Sequence, residues 1–337
     1  MKPVLSMNHL DVTLRIGRQQ VNALSNLSLS ISAGETLALV GESGCGKSLT
    51  ALALMGLLPA TARVGRGEIL FEGQNLTQIS DRQMQRLRGR RIAMIFQDPM
   101  SALNPVKSVG QQLMEVLRVH LGLDRHQAYD RAVALLERVH IPDPHLRMKA
   151  YPHNLSGGMS QRVMIAMAIA CKPALLIADE PTTALDVTIQ AQILGLLKEL
   201  QQETGMALLL ITHDLGVVAA MADRVAVMYA GRKVEDAPLL ALFEHPIHPY
   251  TQGLMRATPT SGKPHEKLQD IPGRVPALNQ LPRGCAFYDR CPKAQPVCRE
   301  QPPELSDFSQ QQFAACYVAE QQLTASFLML KRAGGGL

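Results

Sequence analysis

The chain has 337 residues, of which 46% are hydrophobic and 19% charged, and its formal net charge is +5. This length accommodates one large α/β domain with a smaller appended region, and the apolar fraction is sufficient for a hydrophobic core. A nucleic-acid-binding protein of this size usually carries a concentrated basic face. The densest basic stretch, at 86–91, is interpreted as a solvated turn, so the composition argues against nucleic acid as a partner.

The sequence predicts neither a membrane span nor a secretion signal. A transmembrane helix requires about 20 mostly apolar residues, and the longest apolar runs, Ala51–Leu58 and Val163–Cys171, are far shorter. The first residues lack the apolar core of a signal peptide. We therefore expect a cytosolic protein whose six cysteines are reduced unless a metal holds them.

The N-terminal part of the chain predicts a strand, a glycine-rich turn and a helix, which in this order begin an α/β unit. Residues 4–40 alternate in a β-like way, interrupted at Gly17 and at Ala33–Gly34, and helix formers then occupy 48–58. The next predicted elements are strands at 67–72 and 91–96 and a helical segment at 107–140.

From residue 156 onward, predicted helices and strands alternate, which indicates a parallel sheet with helices on its faces. The elements are a helix at 156–170, a strand at 174–179, a helix at 187–204, a strand at 207–212, a helix at 215–222 and a strand at 224–229. Prolines multiply after Gly231, which predicts a loop-rich second region from about residue 236 to the end. The glycine-rich segment 333–337 is expected to be a disordered tail.

A glycine-rich loop lies between the first predicted α/β strand and its helix. Its sequence fits the P-loop pattern, in which glycines let backbone N–H groups surround phosphate oxygens at a helix N-terminus. Lys47 is placed to reach the β- and γ-phosphates of a nucleotide, and Ser48 to ligate magnesium. The predicted ATP-binding residues are Gly41, Glu42, Ser43, Gly44, Cys45, Gly46, Lys47 and Ser48.

Two adjacent acidic residues end the apolar strand predicted at 174–179. A buried strand of this kind presents its last side chains at the carboxyl edge of a parallel sheet, beside the P-loop. Asp179 is expected to hold magnesium, directly or through water, and Glu180 to polarise the water that attacks the γ-phosphate. An ordinary acidic turn would not explain why the pair follows a P-loop by about 130 residues at a strand end.

A second glycine-containing helix start opens the helix predicted at 156–170. Its signature residues are Ser156, Gly157, Gly158 and Met159. A helix N-terminus with two glycines is a second anion-binding site, and a single nucleotide does not need two such sites in one chain. In a dimer, both sites are used if each chain offers this helix to the nucleotide bound by its partner. With this feature, the sequence resembles the ABC ATPases over residues 1–235.

The resemblance implies a P-loop ABC ATPase domain at 1–235, of α/β class, with a small loop-rich extension at 236–337. The domain would contain a RecA-like parallel sheet core, an antiparallel β subdomain and a helical subdomain, and would use ATP and Mg²⁺. The resemblance assigns Gln97 to the link between magnesium, water and the membrane partner, Asp186 to the dimer interface and His213 to the γ-phosphate. The implied catalytic residues are Glu180, His213 and Gln97, and the implied magnesium ligands are Ser48, Gln97 and Asp179.

Two positions depart from the pattern of this family. The fifth signature position, commonly Gln, is Met159, and we expect little consequence because the phosphate contacts come from Ser156 and the glycines. The aromatic residue that often stacks on adenine is absent near Leu14–Gly17. Leu14 or Ile16 is expected to give an apolar contact instead, with weaker selectivity for the base.

Segments 97–105 and 244–251, together with the cysteine-bearing extension, are similar to the dipeptide/oligopeptide importer ATPases. This resemblance covers nearly the whole chain and implies ATP hydrolysis coupled to peptide uptake, with nickel, glutathione or sugars as alternative cargoes. The implied partners are a second, related ATPase in a heterodimer, two membrane permeases and, indirectly, an extracytoplasmic binding protein. The chain would lie peripherally on the cytoplasmic face of the inner membrane.

Two other functional classes compete with this interpretation. A soluble ABC ATPase acting on DNA or ribosomes is opposed by the lack of a long coiled-coil insertion and of a second ATPase cassette in the sequence. A redox enzyme based on the C-terminal cysteines would leave the intact nucleotide motifs unexplained. The sequence therefore favours a transporter ATPase over both.

Four cysteines crowd into the C-terminal region, and close cysteines in a reducing compartment suggest a metal. They are Cys285, Cys291, Cys298 and Cys316. Zinc ligands usually come in pairs about two to four residues apart, whereas these gaps are five, six and seventeen residues. The wider spacing favours a [4Fe–4S] cluster, with structural zinc as the alternative, and nearby Arg and Lys residues would favour thiolates. The resemblance to the peptide importers implies the same cluster.

Overall fold

The structure, a computed structural model, describes residues 2–183, 185–258, 270–309 and 311–323. Its strands in chain order are β1 (Leu5–Ile16), β2 (Gln19–Ile31), β3 (Thr36–Val40), β4 (Ala62–Phe71), β5 (Gln74–Asn75), β6 (Ile92–Ile95), β7 (Leu175–Asp179), β8 (Ala207–Thr212), β9 (Arg224–Tyr229), β10 (Arg232–Pro238), β11 (Ser306–Ser309) and β12 (Gln312–Ala314).

Helices surround these strands. In chain order they are α1 (Lys47–Leu54), α2 (Asp81–Leu87), α3 (Pro99–Ala102), α4 (Val109–Leu121), α5 (Arg125–Arg138), α6 (Pro144–Arg147), α7 (Gly157–Ile169), α8 (Val187–Thr204), α9 (Leu215–Met221), α10 (Leu239–Glu244), α11 (Pro249–Ala257) and α12 (Val297–Glu300). Short 3₁₀ turns lie at Pro152–Asn154, Leu278–Gln280 and Tyr288–Arg290. Within the described residues, no helix combines the length and the hydrophobicity needed to cross a bilayer.

The larger sheet has the strand order β11-β12-β10-β9-β3-β8-β7-β6. The five strands β6, β7, β8, β3 and β9 run parallel, and β10, β12 and β11 extend the sheet antiparallel. Every residue of β3, β7 and β8 is buried, as expected for parallel strands covered on both faces. The predicted alternation is confirmed, and the elements at 187–204, 207–212 and 224–229 have the predicted bounds.

The smaller sheet is antiparallel, with the order β2-β1-β4-β5. Its apolar side chains pack with α1 against one face of the larger sheet. Helices α4, α5, α7 and α8 pack against the opposite face, where alternate residues of β7 and β8 point. The α/β fold therefore places two apolar layers around a sheet whose carboxyl edge carries the P-loop and the two predicted acids.

Two helix predictions differ from the structure. The segment predicted as helical at 107–140 forms two helices, because Gly122 adopts a left-handed conformation (φ 68°) that ends α4. Asp124 then accepts a hydrogen bond from the backbone of Gln127 at 2.9 Å and starts α5. Helix α1 ends at Leu54 rather than near residue 58, where Gly56 (φ 61°) again turns the chain.

The C-terminal region joins the larger sheet rather than standing apart from it. Strand β12 pairs with β10, with Glu235 opposite Ala314. The Glu235 carboxylate accepts hydrogen bonds from the backbone N–H groups of Ile247 (2.8 Å) and His248 (2.9 Å) and from the Gln312 side chain (3.1 Å). One buried carboxylate thus connects β10, the loop before α11 and β12. The predicted disordered tail at 333–337 lies outside the described residues.

Candidate functional site

The loop between β3 and α1 has backbone geometry that only glycine accommodates at its first and last positions. Gly41 has φ 152°, and a Cβ there would lie 2.3 Å from the backbone oxygen of Met228. Gly46 has φ 106°, and its Cβ would lie 2.6 Å from a methyl carbon of Leu24. Because both positions have no room for a side chain, the loop can wrap closely around a bound anion.

Lys47 follows this loop and directs its ammonium group back into it. Its Nζ donates hydrogen bonds to the backbone oxygens of Gly41 (2.7 Å) and Glu42 (3.1 Å), and the side chain is 5% exposed. A buried ammonium whose partners are neutral carbonyl groups remains available to a phosphate oxygen. The loop N–H groups, the start of α1 and Lys47 therefore converge on one position.

Ser48, the second residue of α1, meets the end of β7. Its Oγ donates a hydrogen bond to Oδ1 of Asp179 at 3.2 Å. Burial raises the pKa of Asp179, and the hydrogen bond from Ser48 opposes this effect. A hydroxyl beside a partly desolvated carboxylate is an arrangement of hard oxygen ligands that suits Mg²⁺.

Glu180 lies directly after Asp179 and has a left-handed backbone conformation (φ 47°), which is uncommon for a residue other than glycine. Its carboxylate accepts hydrogen bonds from the amide of Gln97 (3.2 Å) and the hydroxyl of Thr183 (2.9 Å) and lies 3.1 Å from Nδ1 of His213. Burial alone would raise the pKa of Glu180, but the hydrogen bonds from His213 and Thr183 outweigh it and lower the pKa below its usual value. The group is therefore an ionised carboxylate at neutral pH.

Gln97, Glu180 and His213 come from the ends of three parallel strands, β6, β7 and β8, which lie side by side in the sheet. The structure therefore brings the three residues predicted as catalytic into one cluster. Gln97 is also predicted as a magnesium ligand, but in this structure its amide donates to Glu180, whereas Ser48 and Asp179 contact each other.

A cleft of about 870 Å³ contains the P-loop and this cluster, a size within the range of small-molecule sites. Leu14, from β1, lines the cleft, whereas Ile16 does not. Another part of the cleft lining comes from the C-terminal region, where the sequence predicts no contact with the nucleotide. Its contributions include Leu254, Ala257, Ile271, Leu278 and Arg290. No local pattern in the sequence marks this part of the lining, since its residues are more than 200 positions from the P-loop.

The predicted signature residues lie on a different surface. Ser156 caps α7, and its Oγ accepts a hydrogen bond from the backbone of Met159 at 3.3 Å. Gly158 packs so closely that a Cβ there would lie 2.9 Å from Ile189. Asp186 caps the neighbouring helix α8 by accepting from the backbone of Ile189 at 2.9 Å. Ser156 is exposed and does not line the cleft of its own chain, so its contact with a partner's nucleotide remains a prediction.

The four C-terminal cysteines line one small cavity, of about 10 Å³. The backbone N–H of Cys285 donates to the backbone oxygen of Cys298 at 2.7 Å, which ties two of the cysteine-bearing turns together. Burial raises the pKa of the Cys285 thiol to about 11, and it also raises the pKa values of Cys291 and Cys316. In the part of the chain that the structure describes, no group of three or more His, Cys, Asp or Glu side chains is arranged to hold a metal ion.

Comparisons with known proteins match two parts of the chain. The family model described as ABC transporter matches residues 24–183, and the model described as oligopeptide/dipeptide transporter, C-terminal region, matches residues 234–298.

Similar proteins extend over nearly the whole chain. The oligopeptide transport ATP-binding protein OppD of Salmonella typhimurium is 49% identical over 320 residues, which cover 95% of each chain. The dipeptide transport ATP-binding protein DppD of Escherichia coli is 49% identical over 314 residues, covering 93% of this chain and 96% of the relative.

Solved structures match about 70% of this chain. The dimeric ATP-binding cassette MJ0796, bound to ADP and phosphate, has a TM-score of 0.63 and 26% identity, covering 70% of this chain and 98% of that one. The protein cbiO1 of Clostridium perfringens, part of an ABC transporter complex, has a TM-score of 0.62 and 29% identity, covering 73% of this chain and 92% of that one.

Proposed function

The chain belongs to the ABC transporter ATP-binding proteins that carry the oligopeptide/dipeptide transporter C-terminal region, and from that premise we propose that it hydrolyses ATP to drive uptake of di- or oligopeptides through separate membrane subunits. The observation that carries the proposal is the presence of both family regions in one chain whose full-length relatives are named for peptide transport. Nickel, glutathione or sugars remain the alternative cargoes.

ATP and Mg²⁺ are the cofactors that an ABC ATPase domain implies. We assign the phosphates to residues 41–48, with the Lys47 ammonium neutralising phosphate charge. The loop N–H groups other than those of Glu42 and Cys45, which donate within the protein, would donate to phosphate oxygens. Ser48 and Asp179, with Gln97, would hold Mg²⁺, whose charge stabilises the transferring phosphoryl group when it is bound. The Ser48–Asp179 hydrogen bond supports this assignment because it holds the two oxygens 3.2 Å apart, close enough for both to contact one metal ion.

Glu180 is assigned as the group that accepts a hydrogen bond, and finally a proton, from the attacking water. Its lowered pKa supports this role, since the carboxylate is ionised at neutral pH. Gln97 and Thr183 hold one carboxylate oxygen, and His213 the other, so the orientation of the base is fixed by neighbouring strands. His213 is exposed on the cleft side and is assigned to the γ-phosphate.

The base of the nucleotide is assigned to the apolar part of the cleft. Leu14 lies there, and the turn at Leu278–Gln280, which packs beside β2, supplies Leu278. Two aliphatic side chains can hold the faces of adenine by dispersion and burial, although they supply none of the ring stacking of an aromatic residue. In this assignment, Leu14 and Leu278 take the place of the absent aromatic residue beside the base.

We further propose that two related ATPase chains pair, and that each offers Ser156, Gly157, Gly158 and Met159 to the nucleotide of the other, with Asp186 at the interface. The exposure of Ser156 at the start of α7 supports this arrangement. The similar cassette MJ0796 was solved as a dimer. The remaining partners are two membrane permeases and an extracytoplasmic binding protein, so the chain would act as a peripheral protein on the cytoplasmic face of the inner membrane.

In functional terms, we divide the chain into a nucleotide-binding domain at 1–235 and a peptide-importer extension at 236–337. The match of the C-terminal family model to residues 234–298 supports a boundary near this position. The extension is nevertheless attached to the domain by β12, which pairs with β10.

The cysteine cavity is proposed as the site of a [4Fe–4S] cluster, with zinc as the alternative. Supporting this, four reduced thiols from separate turns converge on one cavity. Burial raises the pKa values of three of them, so metal must displace protons that these thiols otherwise retain. Because the cavity is only about 10 Å³, the side chains that line it must rearrange when a cluster binds. Its proposed role is structural.

Reconstitution tests the proposed function. The chain is combined in proteoliposomes with its partner ATPase, two permeases and binding protein, and uptake of labelled di- and tripeptides is measured with and without ATP. Peptide is expected to accumulate only with ATP and to stimulate hydrolysis. Stimulation of ATP hydrolysis by nickel, glutathione or a sugar, but not by peptide, would show that the cargo is not a peptide. Stimulation by DNA or ribosomes without membrane subunits would refute the transporter assignment.

A further inference from the structure

Glu42 introduces a negative charge into the loop that is to hold the phosphates of a nucleotide. It is the second residue of the P-loop, next to Gly41 and within the lining of the cleft. A free carboxylate at this position would repel a polyanionic ligand. Some other group must therefore neutralise Glu42 if the loop is to bind ATP tightly.

Arg290 supplies that group from the C-terminal region, 248 positions along the chain. Its Nη1 lies 2.6 Å from Oε2 of Glu42 and its Nη2 lies 3.0 Å from Oε1, which is a bidentate pair. Paired hydrogen bonds of this kind combine charge neutralisation with a fixed geometry.

The guanidinium is itself held in place. Nε donates to the backbone oxygen of Pro272 at 2.8 Å, Nη2 donates to that of Ile271 at 3.3 Å, and Nη1 donates to the hydroxyl of Tyr229 at 3.2 Å. The rings of Tyr229 and Phe287 lie 5.8 and 5.9 Å from its central carbon. Arg290 is only 7% exposed, and a lysine could not reproduce this planar set of contacts.

The backbone of Glu42 is held by the same region. Its N–H donates to the hydroxyl of Tyr250 at 2.8 Å, and Tyr250 is fully buried in contact with Tyr229, whose ring centroid lies 4.7 Å away. The carbonyl oxygen of Glu42 accepts from Lys47. The second residue of the P-loop is thus fixed through its side chain and its N–H by the C-terminal region.

We propose that Arg290 is a positioning and charge-compensating residue of the nucleotide site, which makes the C-terminal region a functional part of ATP binding. Arg290 fixes the Glu42 carboxylate at the wall of the cleft and cancels its charge. The inference rests on the proposed ATP site, and it adds a role for the extension that does not depend on the cysteines being loaded with metal.

The proposal predicts an effect that scales with the charge of the ligand. Replacing Arg290 with Gln leaves Glu42 uncompensated, so ATP affinity should fall about tenfold or more. ADP affinity should fall less, and adenosine affinity should stay within twofold. Replacing Glu42 with Gln in the same chain removes the uncompensated charge, so the double variant should recover most of the lost ATP affinity.

Calorimetric titration of the full-length chain with ATP, ADP and adenosine tests this, using wild type, Arg290→Gln, Glu42→Gln and the double variant. Arg299→Gln, which removes an exposed cation from the same region, is the matched control and should bind ATP normally. Glu42→Gln keeps the side chain nearly isosteric but removes the acidic charge and leaves the Arg290 cation beside the cleft. The proposal therefore expects ATP affinity to rise relative to wild type, and to rise more than adenosine affinity, which gives a readout even where Arg290→Gln folds poorly.

Equal losses for ATP and adenosine would assign Arg290 a purely structural role and overturn the inference, as would unchanged ATP binding in Arg290→Gln. Loss of ATP affinity in Glu42→Gln alone would also overturn it. A wild-type chain that binds no ATP would instead refute the proposed function, so the two failures are distinguishable.

Discussion

Nδ1 of His213 lies 3.1 Å from Oε1 of Glu180, which links the ends of two adjacent parallel strands through their side chains. Because Glu180 also accepts from Gln97 and Thr183, its carboxylate has little freedom to reorient. The backbone of Glu180 is in the left-handed region, which is uncommon for a residue other than glycine. Strain of this kind persists where the surrounding contacts determine it and is common at functional positions.

Glu180→Gln should abolish most ATP turnover and leave ATP binding intact. The amide is nearly isosteric but cannot accept a proton, so we expect a loss of about 10²- to 10⁴-fold in the rate of phosphate release. Phosphate release and ATP affinity are measured separately on the assembled transporter. Thr183→Val is the matched control, because it removes one hydrogen bond to Glu180 while leaving the carboxylate, and it should cost far less. Normal turnover in Glu180→Gln would exclude this residue as the base.

Lys47→Ala should instead impair nucleotide binding. Backbone carbonyl groups hold the ammonium group inside the loop. Losing its charged contact with the phosphates should weaken ATP binding roughly ten- to a hundredfold. Equilibrium titration with ATP and circular dichroism distinguish a lost contact from a lost fold. Lys149→Ala, an exposed lysine outside the cleft, serves as the control. Unaltered ATP affinity in Lys47→Ala would place the phosphates elsewhere.

Ser156→Arg should block hydrolysis in the paired state while each chain still binds ATP at its own P-loop. The substitution also removes the cap of α7, at a cost of about 1 kcal/mol in unfolding free energy. Ser156→Asn controls for this because Asn retains a capping oxygen. Binding stoichiometry, turnover and thermal unfolding are compared in both variants. Loss of ATP binding in Ser156→Arg with an unchanged melting temperature would indicate that Ser156 acts within its own chain.

Anaerobic purification should yield iron and acid-labile sulfide in the ratio of a [4Fe–4S] cluster. Cys298→Ser should lose both, because Cys298 is buried at the cavity. Cys171→Ser, which changes a cysteine outside the cavity, should retain both. Stoichiometric zinc without sulfide would support the alternative metal, and a metal-free protein would leave four ordinary thiols.

Acid should destabilise the fold through His248. Burial lowers its pKa to about 3, and its Nδ1 accepts a hydrogen bond from the backbone of Tyr250 at 3.0 Å. The unfolded chain takes up a proton below about pH 6.5, whereas the folded chain does not, so stability falls as pH decreases from 6.5 toward 3. Between pH 6.5 and pH 5 this group should cost about 2 kcal/mol of unfolding free energy.

Urea unfolding at both pH values measures this loss. His248→Asn keeps an acceptor at the start of α11 but cannot titrate, so its stability should depend less on pH. Equal pH dependence in the two proteins would show that other groups control acid unfolding.

Much of the central sheet could be predicted from the sequence because its signals are local. Strands such as β8 are short apolar runs between amphipathic helices, and their parallel arrangement follows from that alternation. The position of the three residues predicted as catalytic could also be located, since Gln97, Glu180 and His213 all follow apolar strands. Glycine is a common residue at helix ends, so Gly122 marks a possible break between α4 and α5. The helical periodicity on both sides of Gly122 instead predicts one continuous helical segment.

The C-terminal contribution to the proposed nucleotide cleft could not be predicted from the sequence. The pairing of Arg290 with Glu42 spans 248 positions and has no periodic or spacing signal. The same holds for β12, a strand of three residues whose pairing with β10 depends on the path of the intervening chain. Contacts of this kind follow from tertiary packing rather than from local propensity.

The pairing of β12 with β10 has a consequence for how the protein is made. Strand β10 ends at Pro238, and its outer partner begins at Gln312. At typical synthesis rates, about 4 to 15 s separate their emergence from the ribosome. During this interval the nascent nucleotide-binding fold presents an unpaired strand edge, which is a template for association with other chains. Chains that terminate early, before residue 312, would retain that edge permanently and should be prime substrates for chaperones and proteases.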